Sequence, residues 1–310
     1  MWNLLEQHPP SPLHELPDPR WQAAGVRLWV KRDDLLAPAP ADPFCGNKWR
    51  KLKYNLIAAR AEGAHSLLSF GGAFSNHLAA LASAGRRLGF RTIGVVRGEP
   101  VDNPTLSRAR ADGMELVFVP RSQFRALSRD PRYWAERYPG ARYLPEGGSN
   151  ALALPGCAEL ALETHSQMEG RPYTLALACG TGGTLAGVAA GICQAPEPRP
   201  PILGVSALKG SFLTTEIAAL MQAAPQQGPY WPHWQVIDDF HHGGYAKTSP
   251  ALAAFIDEME AAHALVLEPV YTGKLFFALF QWLAAGRFAP GSSVVAIHTG
   301  GLQGKAAKAY

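Results

Sequence analysis

The chain has 310 residues, 47% of them hydrophobic and 17% charged, with a formal net charge of +4. That length supports a sizeable buried core in two lobes or one large α/β unit, and the balance excludes a disordered chain. Basic residues are scattered, which gives no footing for nucleic acid or a membrane surface. The four cysteines Cys45, Cys157, Cys179 and Cys193 lie too far apart for a zinc site or a disulfide framework, which fits a reducing compartment.

Residues 1–16 contain Pro9, Pro10 and Pro12 and lack the basic start and apolar core of a signal peptide. Short apolar runs then read as strands at 27–30, 66–70, 92–96, 115–119, 173–178, 202–206 and 293–297. Helical patterns fall at 49–61, 76–88, 103–112, 156–166, 185–194, 251–262 and 273–285. Strand–helix alternation of this kind implies an α/β fold whose parallel sheets are joined by right-handed crossovers. The charge-free stretch 174–193 is broken by Gly180, Gly182, Gly183 and Gly187, so it splits into strand, loop and helix and does not span a membrane. A soluble, cytoplasmic protein is expected. The Pro-rich stretches 37–43 and 195–201 read as surface loops, and 225–245 reads as an irregular loop over a site.

Three segments could make one site. In Gly46-Asn47-Lys48-Trp49-Arg50 a lysine stands at a helix start, where N–H groups favour anions and the helix dipole disfavours an ammonium. A lysine with a lowered pKa is what Schiff-base chemistry needs, although on this segment alone the plainer reading is a basic first turn. Cys179-Gly180-Thr181-Gly182-Gly183-Thr184 follows an apolar strand and opens a helix, so its N–H groups and Thr hydroxyls can hold a phosphate. It has neither the lysine of a Walker loop nor the spacing of a dinucleotide fold. Phe70-Gly71-Gly72-Ala73-Phe74-Ser75-Asn76-His77 leads through glycines into a helix and suits a carboxylate, with a helix cap as the commoner role for Ser75 or Asn76. The second Gly-Gly-Ser-Asn, at 147–150, reads as a cap.

Together these segments resemble the tryptophan-synthase-β type of pyridoxal phosphate enzyme (fold type II). Within it they resemble the group that joins D-cysteine desulfhydrase and 1-aminocyclopropane-1-carboxylate deaminase. The resemblance runs from Lys31-Arg32-Asp33-Asp34 to the C-terminus and includes Tyr271-Thr272-Gly273-Lys274 and His298-Thr299-Gly300-Gly301. It implies a two-lobed, three-layer α/β/α fold, with a large lobe from residues 1–50 and 160–310 and a small lobe from 51–159. It further implies pyridoxal 5'-phosphate as cofactor, a small amino-acid substrate and a homodimer. Lys48 would carry the Schiff base and Asn76 would contact the cofactor's phenolic oxygen. The loop from Cys179 through Gly180, Thr181, Gly182 and Gly183 to Thr184 would hold the phosphate, and Thr299 would lie beside the pyridine nitrogen. Ser75, Asn76 and His77 would receive the substrate carboxylate, Ser75 would aid proton transfer, and Tyr245 and Tyr271 would face the substrate. No metal site is expected. His298 reads as a strand end, and His241 and His242 as surface loop residues.

The deaminases of this group carry a Glu where Thr272 stands, a Gln where His77 stands and a Leu where Thr299 stands. A Glu strengthens the electron sink by keeping the pyridine nitrogen protonated, which a threonine hydroxyl cannot do. These differences favour α,β-elimination of the desulfhydrase type, with 1-aminocyclopropane-1-carboxylate deamination and binding without turnover as the alternatives. Two changes depart from both patterns: Ala73-Phe74 stands in place of Ile-Gln, and Gly244-Tyr245-Ala246 in place of Gly-Tyr-Gly.

Overall fold

The computed structural model describes residues 1–39, 41–224 and 231–306. The described residues form ten strands: β1 (Leu13–Glu15), β2 (Arg27–Lys31), β3 (Ser66–Gly72), β4 (Arg91–Arg97), β5 (Met114–Val119), β6 (Ala141–Tyr143), β7 (Thr174–Cys179), β8 (Ile202–Ser206), β9 (Trp234–Ile237) and β10 (Ser293–Ile297). They make two sheets, a larger one in the order β1-β2-β10-β7-β8-β9 and a smaller one in the order β5-β4-β3-β6. Every pairing is parallel except β1 with β2, where Leu13 faces Lys31. That short antiparallel edge strand was not expected. It is too brief to show alternation, and Pro9, Pro10 and Pro12 mask it.

Both faces of each sheet are covered by helices, which is why the strands read as unbroken apolar runs. Along β10, Val294 and Ala296 enter one core while Val295 and Ile297 enter the other, following the two-residue period of a strand. The first core packs on helices Pro250–His263 and Thr272–Ala284. The second packs on helices Leu154–Gln167 and Gly183–Gln194. The small sheet is treated likewise: Leu67 and Val96 meet helices Gly46–Ala61 and Asn76–Leu88, while Leu68, Phe70 and Val95 meet Phe124 and Trp134 on the other face. The N-terminal helix Trp2–Glu6 returns to the small sheet and buries Leu5 there.

The stretch 225–245 is less irregular than expected, because β9 lies within it as the edge of the large sheet; residues 225–230 lie outside the described residues. His241 and His242 are half-buried, not surface residues. The His242 ring packs edge-on against Phe277 at 4.8 Å, and its Nδ1 lies 2.8 Å from Ser249 Oγ.

Candidate active site

The carboxyl ends of β3, β7 and β10 open onto one cavity of about 510 Å³, the place where parallel α/β sheets hold their ligands. All the residues singled out from the sequence line it: Lys48, Ser75, Asn76, His77, the loop from Cys179 to Thr184, Tyr245, Tyr271 and Thr299.

Lys48 lies in the first turn of helix Gly46–Ala61, and Gly46 sets its position. Gly46 has φ +52°, and a Cβ there would come within 2.2 Å of the Thr299 carbonyl oxygen. That oxygen accepts from the Asn47 backbone N–H at 3.2 Å. Only glycine permits this approach, which brings the segment after β10 against the helix start. Burial lowers the Lys48 amine from the ordinary lysine value to about 8, with the Cys157, Cys45 and Glu268 charges acting the other way.

One turn further on, Lys51 is 1% exposed and, among the described residues, meets no carboxylate. Its ammonium donates to Ser149 Oγ at 2.6 Å and Thr181 Oγ1 at 3.3 Å, and burial, then the Lys48 charge, holds its pKa well below the usual value. Among the described residues this buried amine meets only hydroxyls, and an anion between them would favour its charged form. The glycines beside it leave no room for side chains. A Cβ on Gly183 would sit 2.6 Å from Ser149 Oγ, and one on Gly182, at φ +77°, 2.5 Å from Ile217. The backbone N–H groups at the start of helix Gly183–Gln194 are thereby available to a ligand. Asn47 Nδ2 donates to Thr184 Oγ1 at 3.3 Å and ties this loop to the lysine helix.

Opposite lies the β3 turn. Ser75 caps helix Asn76–Leu88, its Oγ accepting from the Leu78 N–H at 3.2 Å. The His77 Nε2 lies 2.8 Å from Ser69 Oγ, while its buried Nδ1 has no partner. Burial, with Lys48 and Lys51 nearby, keeps His77 well below its ordinary pKa, so the ring is neutral and can offer only a dipole to a carboxylate. A Cβ on Gly301 would lie 2.6 Å from Asn76 Nδ2. Tyr245 and Tyr271 stand edge to face with their ring centres 6.2 Å apart. Burial raises both hydroxyls above their usual pKa.

His298 is directed away from the cavity, its Nε2 meeting the Val266 carbonyl at 2.8 Å. Cys179 is 2% exposed with its thiol pushed up to about 12 by burial, which rules out a thiolate at neutral pH. Three further residues matter. Lys51 was not singled out from the sequence, although its place three residues after Lys48 on one helix face is the signal that could have found it. The segment 147–150 does supply a cap, Asn150 accepting from the Ala153 N–H, and beside it Ser149 lines the cavity, a role the sequence reading did not give it. Glu268 carried no sequence signal. It is buried with no ion pair among the described residues, and its carboxylate accepts the backbone N–H groups of Val270, Tyr271 and Thr272 at 2.6–2.7 Å.

A phosphate-bearing cofactor with an aldehyde fits these groups: a lysine amine of lowered pKa, a second buried lysine that meets no carboxylate among the described residues, and a glycine cradle at a helix start. The geometry therefore defines an enzyme cleft for such a cofactor. The sequence profile of the pyridoxal-phosphate dependent enzymes matches residues 4–300, and the chain belongs to that family. A Thermotoga maritima protein provisionally named 1-aminocyclopropane-1-carboxylate deaminase is 30% identical over 290 residues, covering 90% of each chain. A protein of Klebsiella pneumoniae subsp. pneumoniae named D-cysteine desulfhydrase is 29% identical over 311 residues, covering 94% of this chain and 92% of its own. The crystal structure of an ACC deaminase homologue superposes with a TM-score of 0.81 at 25% identity, covering 98% of this chain and 95% of the other. The cofactor is pyridoxal phosphate and the protein is an enzyme that uses it.

Proposed function

We propose that the protein is a lyase that removes a β-substituent from a small amino acid. In the manner of a D-cysteine desulfhydrase, it releases pyruvate, ammonia and, from cysteine, sulfide. The observation that carries this is the Lys48 amine, held near pKa 8 in one cavity with Ser75 and a protonated tyrosine pair. Lys48 would hold the cofactor covalently, Lys51 and the loop Gly180–Thr184 would hold its phosphate, Asn76 would meet its phenolic oxygen and Thr299 its ring nitrogen. Bound there, the cofactor supplies the electron sink that makes the Cα–H bond acidic.

In this reading Lys48 removes the proton from Cα as a general base. Ser75, Asn76 and His77 orient the substrate carboxylate with neutral donors. The hydroxyls of Tyr245 and Tyr271, kept protonated by burial, face the substrate and can give a proton to the leaving group. Ring opening of a cyclopropane needs a stronger sink, hence an acid at the pyridine nitrogen. Thr299 is no acid, Thr272 is buried against Glu268 with its Oγ1 3.2 Å from Oε1, and Glu268 is committed to the helix start. The relative named as a deaminase favours that second reading. Pyruvate and ammonia from either enantiomer of cysteine or serine would support elimination. No product from any of them, with 2-oxobutyrate from 1-aminocyclopropane-1-carboxylate, would replace it. Spectral changes without any product would leave a binding protein.

The division into a large lobe (1–50 with 160–310) and a small lobe (51–159) belongs to this reading, supported by the residue ranges of the two sheets. So do a homodimer, which sedimentation can test, and a cytoplasmic location, supported by four free buried cysteines. No described helix is long and apolar enough to cross a membrane.

A further inference from the structure

Arg97 and Glu146 both line the cavity, yet neither side chain has a hydrogen bond or ion pair among the described residues. Both residues are exposed at the mouth of the cavity, whereas the fully buried Arg50 meets two carboxylates. Arg97 ends β4, with its Nη2 3.7 Å from the Cβ position of Gly72 and its guanidinium 5.6 Å from the Phe124 ring centre. Gly72 in turn accepts the Ser75 N–H at 3.0 Å, so the guanidinium stands at the turn that orients substrate. Glu146 begins the short helical turn Glu146–Gly148 and is exposed, while the protein packed around its carboxyl pushes the pKa above the ordinary value and Arg97 pulls it down. Both charges reach Tyr245, and that of Glu146 also reaches Tyr271. The two groups are close enough to feel each other but do not pair, since no N···O distance between them is within 4.0 Å.

Two opposite charges, separated and both facing one cavity, complement a ligand group that itself carries both signs. A purely anionic group would meet Glu146, and a purely cationic one would meet Arg97 and Arg129, which also lines the cavity. We propose that this rim binds the far end of a cysteine thioether whose sulfur substituent is zwitterionic, Arg97 taking its carboxylate and Glu146 its ammonium. The inference rests on the lyase reading and names its substrate class. A cavity of about 510 Å³ is of the size that encloses an extended ligand. The reaction balances without a further co-reactant. The Cα proton and the thiolate leave, the C–S bond breaks, and R–S–CH2–CH(NH3+)–COO− plus water gives R–SH, pyruvate and ammonium.

The test uses the holoenzyme and four thioethers that share the bond to be broken: S-methylcysteine, S-(2-aminoethyl)cysteine, S-(2-carboxyethyl)cysteine and lanthionine, each in both configurations at the reacting carbon. Lanthionine is expected to exceed S-methylcysteine in kcat/KM by about tenfold or more, the worth of hydrogen bonds to charged groups. The preference should shrink as salt is added. Arg97→Gln should reduce the preference for the carboxylate-bearing thioethers over S-methylcysteine, and Glu146→Gln the preference for the ammonium-bearing ones. A flat series overturns the proposal while leaving the lyase intact. An equal loss on all four with Arg97→Gln also overturns it, because Arg97 then holds the carboxylate common to every substrate. Absence of turnover on all four and on cysteine and serine instead removes the lyase reading itself.

Discussion

Lys48 and Lys51 are one helical turn apart, and burial lowers the pKa of both. The amine of Lys48 is lowered to about 8 chiefly by burial, so its neutral, reactive fraction grows as pH rises through that value. Capture of added pyridoxal phosphate by apoprotein is therefore expected to quicken from pH 7 to 9 and then level off, read as growth of the visible band. A rate indifferent to pH would contradict a neutral Lys48 amine as the reacting group. Lys51 answers an anion, and Lys51→Met is expected to weaken cofactor retention by about 10- to 100-fold, the worth of a charge-assisted hydrogen bond, measured by equilibrium dialysis. The residues of this site were legible because each chemical role left its trace beside glycine: Lys48 after Gly46, Ser75 after Gly72, Thr181 between Gly180 and Gly182. The cap read at 147–150 is there, at Asn150, but the same four letters also supply Ser149 to the cavity wall, which the pattern does not display. Glu268 gave no signal because its partners are backbone N–H groups, which no sequence displays.

At the scale of elements, the strands with both faces buried were legible as apolar runs, and β8 and β10 were read to the residue. The brief edge strands β1, β6 and β9 were not, being three or four residues long and only partly covered. Helix Gly46–Ala61 begins three residues before the periodic pattern suggests, since Cys45 supplies no side-chain cap and Gly46 looks like a breaker. Small residues set the packing of helices Leu154–Gln167 and Gly183–Gln194. A Cβ on Gly191 would lie 2.5 Å from the Ala158 carbonyl oxygen, and one on Gly187 2.4 Å from Cys157 Cβ. Gly191→Ala is expected to destabilise by about 1–3 kcal/mol through overpacking, seen as a lowered denaturant midpoint. An unchanged midpoint would mean that these helices are not in close contact.

Across the whole molecule, a buried ionic cluster joins the N-terminal segment, the lysine helix and helix Leu154–Gln167. Arg50 donates to Asp33 at 2.8 Å and to both oxygens of Glu163 at 2.7 and 2.8 Å, and Lys31 reaches Glu163 at 3.2 Å. Arg50 and Asp33 are both 0% exposed. Asp33→Ala leaves a buried guanidinium short of its partner and is expected to cost about 3–5 kcal/mol, whereas an exposed pair such as Arg91–Glu115 contributes little. Equal effects of the two deletions in chemical denaturation would refute the contrast. The cluster also holds the helix that carries Lys48, so Asp33→Ala should loosen cofactor binding before the chain unfolds.

The most direct test of the account is borohydride reduction of the purified protein with its cofactor, followed by peptide mapping of the wild type and Lys48→Ala. The account predicts a visible band that reduction fixes covalently onto Lys48, and neither band nor adduct in the variant. Attachment to Lys51, or no attachment at all in the presence of added pyridoxal phosphate, would contradict it.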